Sequence, residues 1–63
     1  MLVVGWRTGA NEFEATRVIS KHTGWNSLQA RLVVDKIFEG KSVELPNDKT
    51  LRENLKNLKF VVR

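Results

Sequence analysis

The chain has one histidine, His22, and no cysteine among its 63 residues. That excludes a thiol nucleophile, a disulfide and a thiolate metal site. A single histidine does not complete a metal site, which needs three or four protein ligands. No pair of carboxylates at helical spacing faces a cleft, and "GANEF" is neither a phosphate-cradling loop nor a dinucleotide fingerprint. His22 falls near the end of a helical pattern, on its apolar side, where a protonated imidazole would complement the helix dipole. The expectation is a non-enzymatic protein without cofactor or metal.

What remains is the chemistry of binding. The net charge is +4, from 11 basic and 7 acidic residues interspersed along the chain without a basic run. Such a balance permits an acidic protein surface or a nucleic acid as partner and demands neither. Two groups of cations are candidates. Arg17, Lys21 and Arg31 fall near the junction of two helical segments, close to Leu28 and Leu32. Lys49, Arg52, Lys56 and Lys59 follow one another through "KTLRENLKNLK", with Arg52 and Lys56 on one face.

These side chains need elements to position them. "LVVGW" is β-branched and aromatic and predicts a strand, with Leu2, Val4 and Trp6 on one face. "TGAN" breaks it, and Asn11 is a good N-cap with Glu14 in the capping-box position. Ala15, Val18, Ile19 and His22 then share one side of a helix that ends at Thr23 and Gly24. "WNSLQARLVVDKIFEG" repeats the grammar, with Asn26 as cap, Gln29 three residues on and Gly40 closing the helix. "KSVELP" alternates, with Val43 and Leu45 on one face, and Pro46 stops it. Asn47 or Asp48 caps a third helix, where Leu51, Leu55 and Leu58 stand at i, i+4, i+7. "KFVVR" predicts the last strand.

The predicted fold is α+β, a single domain over residues 1–63. It has two layers in the order β-α-α-β-α-β, a three-stranded antiparallel sheet with three helices on one face. No apolar run approaches the roughly 20 residues of a membrane-spanning helix. "MLVVGWR" lacks the basic front of a signal peptide. These features suggest a cytoplasmic protein. A domain of this size buries only roughly 60% of its unfolded surface, so one compact core must carry its stability.

On the second helix, Ala30, Val33, Val34 and Ile37 cluster within about 100°, and Phe38 widens the stripe to about 140°. Leu28 and Leu32 point almost opposite, flanked by Arg31 and Asp35. Two readings are open for them. In one, Leu28 packs under Trp25 and Leu32 is a lone surface leucine. In the other, they form an apolar patch ringed by charge that docks a partner. For the arginines, the alternatives are a basic platform, or solvated faces with Arg17 paired to Glu14 or Glu12. Trp25 reads as core. Trp6 is open, because the outer face of the sheet is free to meet solvent.

The residues "GAN" (Gly9, Ala10, Asn11), then "TG" (Thr23, Gly24), then Ala30 followed by the basic Arg31, resemble the C-terminal domain of the bacterial ribosomal stalk protein, L-seven/L-twelve. Clp-protease adaptors share the broad topology. The likeness covers nearly the whole chain, its last third by pattern alone. It implies a docking module whose first two helices recruit a translational GTPase, with Arg17 and Arg31 at the family's basic positions. The chain departs from the family at Glu12 and Ser20, where basic residues are usual, and at Leu28 and Leu32, where the outer face is usually polar. In the stalk protein a dimerisation region and hinge precede this domain. Here Met1 opens directly onto the strand, so a complete chain of this length would carry no ribosome anchor.

The expected function is protein docking through Arg17, Lys21, Leu28, Arg31 and Leu32. The partner would be a translational GTPase or another protein with an acidic surface. The alternatives are a nucleic-acid-binding protein using Lys49, Arg52, Lys56 and Lys59 with the sheet, or a stand-alone inhibitor of a host machine, of the kind phages encode. The oligomeric state is open, since the edges of a three-stranded sheet can pair between copies.

Overall fold

A computed structural model describes all 63 residues, Met1–Arg63. The order is β1 (Leu2–Trp6), α1 (Glu12–Thr23), α2 (Ser27–Phe38), β2 (Val43–Glu44), α3 (Lys49–Asn57) and β3 (Phe60–Val62). The strands form one antiparallel sheet in the order β2-β1-β3. This is the α+β arrangement expected from the sequence, with three helices and three strands. No helix is long and apolar enough to cross a membrane.

Each helix begins where an Asn or Asp side chain takes up an orphan N–H. Asn11 accepts from the Glu14 N–H at 2.9 Å, Asn26 from the Gln29 N–H at 2.8 Å, and Asp48 from the Leu51 N–H at 3.0 Å. Asp48, not Asn47, is therefore the third cap. Gly24 ends α1 in the left-handed region, with φ 79°. Past α2, the Gly40 N–H bonds Ile37 O and the Lys41 N–H bonds Lys36 O, both at 3.0 Å. With Gly40 at φ 90°, this is a Schellman motif. The corresponding position after α3 is held by Lys59, whose φ of 73° is unusual for a residue with a side chain.

One core joins the layers. Val3, Leu45 and Phe60 are buried from the sheet side, against Ala15, Ile19, Ala30, Val34, Ile37, Leu51 and Leu55 from the helices. Each of the larger aliphatic side chains contributes about 1.5–3 kcal/mol on burial. α2 and α3 lie against the strands, while α1 lies against α2 and α3. The outer side of α1 and the side of α2 beside it are thereby left to solvent.

The first strand corrects one expectation. Leu2, Val4 and Trp6 do not share a face. Val3 pairs with Val62 but Gly5 with Val61 and Trp6 with Phe60, so the register shifts by one between Val3 and Gly5. Such a bulge inverts the alternation of side chains beyond it. Val3 and Trp6 thus both lie on the helix-covered side, with Phe60 and Val62. The Trp6 ring stacks tilted on Phe38, with centroids 4.9 Å apart, and Phe38 meets Phe60 edge-on at 5.8 Å. Trp6 closes the rim of the core rather than lying on the open side of the sheet.

Candidate protein-docking face on α1 and α2

On α1, residues Phe13, Thr16, Arg17, Ser20 and Lys21 recur at i, i+3, i+4, i+7 and i+8, which gathers them on one stripe. On α2, Ser27, Leu28 and Arg31 form the facing stripe. Together they line an open groove of about 650 Å³ between the two helices. The groove contains two apolar side chains, three cations, three hydroxyls and no carboxylate.

The turn between the helices holds this geometry. The Ser20 hydroxyl donates to the Trp25 carbonyl at 2.6 Å, and the Trp25 N–H donates to the Thr23 hydroxyl at 3.1 Å. Trp25 itself is half-buried against the core. Ser20, which departs from the stalk pattern, thus clamps the end of α1 to the start of α2. The Thr16 hydroxyl donates to the Glu12 carbonyl one turn back on its own helix at 2.8 Å.

The cations differ in how firmly they are held. Arg31 is fixed from two sides, by Asp35 at 3.1 Å and by Glu12 from α1 at 3.7 Å. Glu12, another departure, acts here as a strut between the helices that orients Arg31. Arg17 reaches Glu14 only at 3.9 Å and stays largely exposed, as the solvated-face reading expects. Lys21 makes no ion pair and lies exposed in the groove. Surface pairs of this kind contribute about 0–1 kcal/mol, so their effect is on orientation more than stability.

Of the residues expected to bind, Arg17, Lys21, Leu28 and Arg31 come together in the groove. Leu28 does not pack under Trp25; it is 70% exposed. Leu32 is 55% exposed but sits one turn further along α2, outside the groove lining. Phe13 is also 70% exposed and lies within it. Sequence reasoning overlooked Phe13, although its position carries a signal: it falls about 160° from Ala15 on the helical wheel, as remote from the core stripe as Leu28 is on α2.

In the second group of cations, Lys49, Arg52 and Lys56 stand at i, i+3 and i+7 on one side of α3. The Arg52 guanidinium donates to the Arg63 carbonyl at 3.3 Å. Lys56 and Lys59 also join Arg7 beside β3, in a smaller groove of about 330 Å³. His22 is mostly buried between α1 and α3, with Nε2 3.2 Å from the Asn54 amide nitrogen and Nδ1 4.0 Å from Asp48. Its neighbours make it a link between helices.

In comparison with known protein families, with curated proteins and with solved structures, the chain matched none.

Proposed function

We propose that this chain is a non-enzymatic docking module that binds a partner protein with an acidic, partly apolar surface through the outer face of α1 and α2. The observation that carries the reading is the groove itself. Phe13 and Leu28 are both 70% exposed and share it with Arg17, Lys21 and Arg31, without a carboxylate in the lining. Large side chains at that exposure gain little on folding and more on docking, about 1.5–3 kcal/mol each when fully covered. The cations around them favour an anionic partner and set the approach and the register. Leu32 extends the apolar strip along α2.

The occupant that suits a groove between two helices is an amphipathic helix or ridge with apolar residues at its centre and Asp or Glu at its rim. A translational GTPase is the partner implied by the resemblance to stalk domains, and it would be met in the cytoplasm. A host machine met by a stand-alone inhibitor would serve the same chemistry. The test is affinity capture from a cell extract with wild type, Leu28→Asp and Phe13→Asp, followed by titration of the captured protein. Loss of one partner from both variants, with mild salt dependence, supports the reading. Identical partner sets in all three would sink it. Capture of nucleic acid alone, weakening steeply with salt, would instead favour phosphate contacts.

A further inference from the structure

The sheet has two edges, and they are finished differently. At one edge, β2 has two residues, Val43 and Glu44, and Pro46 follows shortly after. A short strand stopped by proline is poorly suited to accept another strand. At the other edge, β3 directs Lys59 and Arg63 toward β1. The Arg7 N–H bonds Lys59 O at 2.7 Å, and the Arg63 N–H bonds Leu2 O at 2.7 Å. Backbone groups alternate in direction along an antiparallel strand. The N–H and C=O of Phe60 and of Val62 therefore point away from β1, to the open edge. Neither residue takes part in the turn and loop bonds of the backbone.

Cations surround that edge. Arg7, Lys56 and Lys59 line the groove with Phe60, Val61 and Val62. None of the three makes an ion pair, whereas on the other face Arg17 and Arg31 each do and Lys21 alone does not. Lys59 also holds its left-handed backbone where glycine is the usual residue, at a cost of about 1–2 kcal/mol. Glycine there would remove both the strain and the charge.

We propose that the β3 edge accepts an extended acidic peptide segment, which adds as a fourth strand beside Phe60–Val62 with its carboxylates on Arg7, Lys56 and Lys59. Two features select this occupant. Phe60 and Val62 offer donors and acceptors in alternation, which a peptide backbone matches and a phosphodiester, having acceptors alone, does not. A second copy of the chain would bring the same three cations against their counterparts, and like charges across a strand pair are destabilising. The site is separate from the α1–α2 groove and does not depend on it.

The experiment uses the whole chain and a capped octapeptide of alternating glutamate and valine. Controls are the alternating lysine and valine peptide and a thymidine oligonucleotide. Amide hydrogen exchange and chemical shifts are followed by NMR. The expected result is that the glutamate peptide slows exchange at Phe60 and Val62 at least about tenfold and leaves α1 and α2 unshifted. Lys56→Glu combined with Lys59→Gly should weaken binding at least about tenfold. Val62→Pro, which removes an edge N–H, should abolish it. If that variant does not fold, the Lys56→Glu, Lys59→Gly pair carries the test alone. Equal binding of the lysine peptide, preference for the oligonucleotide, self-association without peptide, or shifts confined to Phe13 and Leu28 would each overturn the proposal.

Discussion

The α1–α2 face and the α3–β3 side are both basic, yet they are built for different contacts. On the first, Arg31 is tied to Glu12 and Asp35, Arg17 lies within 3.9 Å of Glu14, Lys21 is unpaired, and two large apolar side chains stand exposed among them. On the second, Arg7, Lys56 and Lys59 have no acidic partner, the neighbouring Phe60 is buried, and the exposed feature is a strand edge. Charge tied to carboxylates beside apolar area favours oriented packing. Free charge beside unpaired backbone favours an extended, anionic chain. Net charge alone would have described both as a basic surface.

The sharpest way to break the contrast is to remove the support of the helical face. Ile19 is fully buried in α1, and α1 is held by α2 and α3 without reaching the strands. Ile19→Ala should lower the unfolding free energy by about 2–5 kcal/mol in urea titrations. That is a large part of what a small domain has. Lys56→Ala, on the other side, should change it by less than about 0.5 kcal/mol. A loss under about 1 kcal/mol for Ile19→Ala would show that α1 is not anchored as described.

Next in size is the apolar payload. Leu28→Asp should weaken the protein partner about 30-fold or more, the scale of a central docking residue. The melting temperature should barely move, because the side chain touches solvent. Ser20→Ala should cost about 1 kcal/mol, by freeing the Trp25 carbonyl from its 2.6 Å bond. It should also reduce partner affinity by loosening the turn that sets the two helices, which calorimetry on the purified pair would resolve.

The smaller effects lie in backbone and charge. Lys59→Gly should raise stability by about 0.5–1 kcal/mol, because the left-handed backbone is retained without a side chain. No gain in a urea titration would mean that the lysine side chain, which passes 4.0 Å from the Cβ position of Gly9, offsets its strain by packing. Arg17→Ala should leave stability within about 0.5 kcal/mol and act on the association rate, with a weaker salt dependence than wild type. A change confined to dissociation would place Arg17 inside the contact and not at its rim.

Much of this was legible in the chain itself. Element order followed from local signals that act over three or four residues: Asn11, Asn26 and one of Asn47 or Asp48 as caps, Gly24 and Gly40 as stops, and apolar residues at helical or alternating spacing. The same periodicity marked Leu28 as facing away from the core, and would have marked Phe13. Three things were decided only by the tertiary structure. The bulge between Val3 and Gly5 turned Trp6 onto Phe38, since register depends on how two distant strands pack. The angle between α1 and α2 brought four of the five expected binding residues into one groove and left Leu32 outside it. The placement of β3 at the sheet edge gathered Arg7, near the start of the chain, with Lys56 and Lys59, near its end. Caps and periodicity depend on neighbours along the chain and can be read from it. Register, interhelical geometry and edge position depend on long-range packing, and the local sequence does not contain them.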